Sequence, residues 1–153
     1  MKTELYPLDK MVFDGKEIKL GMNKQQVIEL LGEPEDMQEN YGGESWRHYY
    51  FDTELGLDYD KNGELEFIEF LAGHDGSLRP YIYGVPAFDT KRDELVSILT
   101  EHNNGETDDS EDDSYAFLEI QVGIWQMADD DEFWTTIGIG KKGYYSSDVE
   151  WSA

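Results

Sequence analysis

Residues 58–69 read DYDKNGELEFIE, and their interpretation decides the fold. They match D-x-[DN]-x-[DN]-G-x5-E, the calcium loop of an EF-hand. Asp58, Asp60 and Asn62 would be the oxygen ligands, Gly63 the sharp turn, Leu65 the aliphatic position and Glu69 the bidentate closing ligand. The same letters spell a β-hairpin turning at Lys61-Asn62-Gly63. An EF-hand needs a helix on each side of its loop. The segment ahead, WRHYYFDTELGLD, is aromatic-rich and places Gly56 two residues before the loop, which is poor helix material. The segment behind, FIEFLAG, reaches Gly73 within about one helical turn of Glu69. The hairpin is therefore the preferred reading. Calcium binding by Asp58, Asp60 and Asn62 outside an EF-hand is the alternative, with Glu69 expected to run along a strand too far away to close the cage.

The 153 residues suit one domain or two small repeats, and 14 % aromatics give ample material for a core. Twelve basic residues against 35 acidic ones leave a formal charge of −23. Such a surface repels nucleic acid and anionic membranes and attracts basic proteins. The absence of cysteine excludes disulfides, zinc-thiolate sites and thiol catalysis. MKTELYPLDK has no apolar stretch, so no signal peptide is expected. No apolar run has membrane-spanning length, and the expected location is the cytoplasm.

The chain carries an internal repeat. YYFDTELGLDYD and AFLEIQVGIWQM superpose at an offset of 67, bringing Phe51 to Leu118, Leu55 to Val122, Gly56 to Gly123 and Leu57 to Ile124. Upstream, VIELLG superposes on LVSILT at an offset of 68. The expected units are residues 11–73 and 80–140, with 74–79 as linker and 141–153 as a tail and candidate edge strand. Asn23 with Gln26 has capping-box spacing, and Gly32 with Pro34 ends the first helix. Thr90 and Asp93 are expected to play the same part in the second. Strands are expected over 45–51, 54–59 and 64–71, and over 115–121, 122–127 and 132–139. The expected fold is α+β: two tandem helix-plus-antiparallel-sheet repeats, helices on one face of the sheet and the other face open.

Alternation along the strands assigns residues to the two faces. Ala116, Leu118, Ile120, Val122 and Ile124 are uniformly apolar and are expected to face the helices, with Tyr49, Phe51, Leu55 and Leu57. The open face would then carry Trp46, His48, Tyr50 and Phe67, and in the second unit Tyr115, Phe117, Glu119, Trp125 and Trp134. An exposed face rich in Trp and Tyr has the composition of a protein-binding surface. The alternative is that the tail or the connections cover it. The run Asp108, Asp109, Glu111, Asp112 and Asp113 would steer a basic partner electrostatically.

No enzyme is expected. His48, His74 and His102 have neither metal nor triad spacing, the carboxylates are too many for a catalytic pair to stand out, and GIGKKG lacks the phosphate-loop pattern. No cofactor is expected.

The segment LGMNKQQVIELLGEPEDM resembles the BamE/SmpA-like repeat, through Leu20-Gly21-Met22-Asn23, then Leu30-Leu31-Gly32, then Pro34. Two such units in tandem resemble the architecture of β-lactamase-inhibitor proteins, which grip their target with a concave aromatic sheet face. The resemblance implies an analogous role for Trp46, Tyr50, Phe117, Trp125 and Trp134. Small acidic proteins of this kind also resemble bacterial immunity proteins. The expected function is a cytoplasmic inhibitor or immunity protein for a basic protein toxin or enzyme. The alternatives are the calcium module at DYDKNG and a polyanionic mimic of DNA.

Overall fold

The computed structural model describes residues 2–39, 46–111, 113–126 and 132–145. The chain starts with a three-stranded antiparallel meander of β1 (Lys2–Tyr6), β2 (Lys10–Phe13) and β3 (Lys16–Lys19). Asp14 and Gly15 turn β2 into β3 with φ of 50° and 76°, the paired left-handed geometry that suits a two-residue hairpin. Alternation buries Thr3 and Leu5 on β1, Met11 and Phe13 on β2, and Ile18 on β3.

Helix α1 (Lys24–Leu31) has the capping box expected from Asn23 and Gln26, and Gly32 at φ 88° ends it. Four strands follow: β4 (Asp36–Glu39), β5 (Trp46–Tyr50), β6 (Leu55–Tyr59) and β7 (Leu65–Phe70). A 3-10 turn at Gly73–Asp75 leads to β8 (Arg79–Ile82) and β9 (Val85–Pro86). Helix α2 (Arg92–His102) is followed by β10 (Thr107–Glu111), β11 (Ser114–Phe117), β12 (Val122–Trp125) and β13 (Thr136–Gly140). The N-cap of α2 is Lys91, without a side-chain cap; Thr90 instead donates its hydroxyl to Pro86 O at 2.7 Å.

The expected architecture of two helix-plus-sheet repeats with one open sheet face is overturned. The molecule is mostly β, with a five-stranded sheet in the order β3-β2-β1-β8-β9 and an eight-stranded sheet in the order β10-β11-β12-β13-β7-β6-β5-β4. The smaller sheet comes from segments the repeat reading passed over. Residues 2–19 alternate in polarity around an Asp-Gly turn, and 79–86 turn on Tyr83-Gly84, at φ 49° and 83°. β8 joins the sheet by pairing in parallel with β1.

In the larger sheet, β4 to β7 and β10 to β13 are two antiparallel meanders that meet at β7 and β13. Single antiparallel bridges, Asn23 to Glu64 and Lys91 to Phe133, tie each helix entry to the chain ahead of β7 and of β13. One apolar core spans everything: Leu5, Met11 and Ile18 from the smaller sheet, Val27, Leu95 and Leu99 from the helices, and Leu57, Ile68, Ile124 and Ile139 from the larger sheet.

Candidate functional site

DYDKNG is a hairpin. β6 ends at Tyr59, β7 starts at Leu65, and Asp60 closes the turn, its N–H donating to Glu64 O at 2.8 Å. The Asp60 carboxylate accepts from the backbone N–H groups of Asn62 and Glu64 at 2.9 and 3.0 Å, and Gly63 takes φ 78°. Neither flank is a helix.

The acids of the motif are nonetheless brought together. Asp58 lies opposite Arg47 on β5, and Glu69 lies opposite Gly56 on β6, so all share one sheet face. Arg47 donates to both Asp58 oxygens at 2.6 and 2.9 Å and to Glu69 at 2.8 Å. Glu69 therefore does not run away from Asp58; the two carboxylates meet on one guanidinium. Gly56 makes room for it, since a Cβ there would stand 3.0 Å from Arg47 Nη1. Asp60 takes the other cation, Lys141 Nζ, at 2.7 Å. Two basic side chains thus occupy the acidic positions of the calcium pattern. Among the described residues no group of three or more His, Asp or Glu is arranged to hold a metal.

Burial works against charge in this cluster. It opposes the charge on Arg47, but hydrogen bonds and attraction from Asp58 and Glu69 prevail and hold the guanidinium pKa above its ordinary value. Burial raises the Glu69 carboxyl above the usual range, outweighing the single contact to Arg47, whose bidentate bond goes to Asp58. Glu66 is raised by burial as well. At Asp60 burial acts upward, but Lys141 and the two backbone donors prevail and lower its pKa.

The expected aromatic face is redistributed, and the register gives the reason. Four-residue turns at 51–54 and 118–121 pair Tyr50 with Leu55 and Phe117 with Val122, so odd positions on one strand face the same way as even positions on the next. Alternation read straight through those turns inverts the faces of β5 and β11. His48, Tyr50 and Phe117 are consequently buried on the core side, and Tyr115 is half-buried there. Trp46 pairs with Tyr59 in the register; its side chain lies outside the described residues. Trp134 precedes β13 and is 1 % exposed. Its indole N–H donates to Arg92 O at 3.1 Å, while the Arg92 guanidinium lies 4.6 Å over the ring. It anchors the start of α2. Glu119 is exposed in the turn, its N–H donating to Asn103 Oδ1. Burial and then Lys24 lower the His48 pKa.

Among the expected partner contacts whose side chains are described, Phe67 and Trp125 alone lie on the second face of the larger sheet. That face is floored by glycine: Gly123 on β12, Gly138 and Gly140 on β13. A Cβ at Gly138 would stand 2.3 Å from Phe67 Cζ, and one at Gly140 would stand 2.7 Å from Tyr144 Cβ. Residues 141–145 lie across this floor as a turn; the rest of the tail, where most of the candidate edge strand falls, lies outside the described residues. Tyr144 stacks on Phe67, centroids 4.4 Å apart and 6° between planes. Tyr145 is 6 % exposed, and Gln121 brackets its backbone, accepting from the N–H at 2.6 Å and donating to the carbonyl at 2.8 Å. The face is covered here by the chain itself. Residues 146–153 lie outside the described residues.

Of the acidic run, Asp109 and Asp113 are exposed and Asp108 is half-buried. Glu111 ends β10 with its side chain outside the described residues, where Asp112 also falls. β10 is one outer strand of the larger sheet among the described residues; the other, β4, reads DMQE and is also acidic. The sequence reading missed Arg47, Lys141, Tyr144 and the glycine floor. Its available signal was Gly138-Ile139-Gly140 inside a strand, a pattern that marks close approach of another group. No family model, curated protein or solved structure matches the chain. Among the described residues no helix is long and apolar enough to cross a membrane.

Proposed function

We propose that this chain is an acidic protein-binding module acting on a basic protein, as a cytoplasmic inhibitor or immunity protein does. The observation that carries the reading is the way the few cations are used. Arg47 and Lys141 are drawn into contacts with Asp58, Glu69 and Asp60, and Lys10 pairs with Glu17. Arg92 lies over Trp134. These four of the 12 basic residues are engaged with partners, and the 35 acids against 12 bases leave a strongly negative field around the chain. Such a field accelerates encounter with a basic protein and rejects nucleic acid.

The test is isolation of a stoichiometric basic partner, followed by association kinetics across ionic strength. Asp108→Asn, Asp109→Asn and Asp113→Asn together should slow association at low salt while leaving dissociation nearly unchanged. Loose binding to many basic proteins, all lost at modest salt, would replace this reading with that of a polyanion mimicking DNA.

A further inference from the structure

The groove on the second face of the larger sheet already holds a ligand, which is the chain's own segment 141–145. Its contacts define what fits: a cation against Asp60, a flat ring on Gly140 and Phe67, and a second ring over Gly123. None of the segment's residues is in a strand; its main chain meets the sheet through Lys141 N–H to Glu66 O at 2.9 Å and through the Gln121 bracket, and the rings of half-buried Tyr144 and buried Tyr145 fill the groove. The Lys141 side chain is 40 % exposed.

Departure of the segment would remove Lys141 from the face. Asp60 and Glu66 would then lose their cation while Asp58 and Glu69 keep Arg47, and Phe67 would lose its stacked ring. The opened groove calls for a positive charge and an aromatic side chain together. A second copy brings the right sequence, but it also brings −23 of like charge. A basic partner brings both attractions.

We propose that this groove is the docking site for an extended segment of the basic partner, carrying a Lys or Arg about three residues ahead of an aromatic pair, which enters by displacing residues 141–145 and reusing their contacts. The inference rests on the protein-binding reading above and locates it.

The probe is a synthetic peptide with the sequence of residues 140–145, GKKGYY, titrated into the full chain and followed by heteronuclear NMR. Lys141→Ala weakens the resident segment and should raise apparent peptide affinity by up to about fivefold, the scale of one partly exposed ion pair. Adding Asp60→Asn to that variant should abolish the gain, because Asn keeps the oxygen that holds the turn but not the charge. Shifts should map to Phe67, Gly138 and Gly140. No binding to a folded Lys141→Ala chain, or equal binding by the double variant, overturns the groove. The two readings fail separately: a natural basic partner that binds Asp60→Asn as well as wild type removes the groove and leaves the module. A chain with no basic partner removes the module, whatever the peptide does.

Discussion

At the scale of single residues, the second face depends on the absence of side chains as much as on their presence. Gly138→Ala puts a methyl into the Phe67 ring, and Phe67 cannot retreat because Tyr144 is stacked on it. The expected cost is about 1–3 kcal/mol, read from the denaturant midpoint, with a loss of upfield-shifted aromatic NMR signals. Arg47 is the opposite case. Asp58 and Glu69 have side chains only 12 % exposed each, so Arg47→Met strands two buried carboxylates. A loss on the order of 3 kcal/mol is expected at neutral pH, shrinking as pH falls and the acids protonate; a pH-independent loss would mean Arg47 acts by packing alone. The sequence made the acids legible because they matched a known pattern. It concealed Arg47, eleven residues upstream, because nothing in a linear motif says which strand lies next door.

At the scale of elements, the first helix was legible to its ends and the second was not. Asn23 and Gln26 form both bonds of the capping box, so Asn23→Ala should cost about 1 kcal/mol, seen as a lowered Tm. The equivalent change Thr90→Ala should leave the α2 cap intact, because that hydroxyl serves Pro86 instead. Hydrogen exchange of the first-turn amides separates the two variants. The six expected strands overlap β5 to β7 and β11 to β13, but β1 to β4 and β8 to β10 were not foreseen, and the faces of β5 and β11 were inverted. Phase is reset by each turn, and the turn at 51–54 is unusual: Phe51, Asp52 and Thr53 take φ of 56°, 57° and 66° in succession. Three left-handed non-glycine residues in a row have no simple composition signal. Glu35 accepts from Thr53 N–H at 2.6 Å and Glu54 accepts from Ser77 and Leu78, contacts that hold the turn.

At the scale of the whole molecule, the apolar content and charge gave the class of surface but not the number of layers. The smaller sheet closes only because β8 returns to β1 from 77 residues away (Lys2 to Arg79), a pairing that no local window contains. Charge also sets how stability follows pH. Burial raises the Glu69 pKa above 4.5, so the folded state holds that proton more tightly than the unfolded chain does. Its contribution is fully present below pH 4.5 and is lost as pH rises through the raised value. His48 runs the other way: its lowered pKa means that stability is lost as pH falls below 6.5. Glu69→Gln should therefore reduce the decline towards neutrality, leaving the part due to Glu66, and keep the His48 loss; unfolding midpoints across this range read both. The two acidic outer strands have a consequence for storage and handling. At neutral pH, β4 and β10, the outer strands among the described residues, repel their counterparts on neighbouring molecules, which keeps the backbone edges from meeting. Near the isoelectric point of about 4.1 that repulsion vanishes while the edges remain. Concentrated solutions should turn turbid and form β-rich aggregates there, and clear again on return to neutral pH.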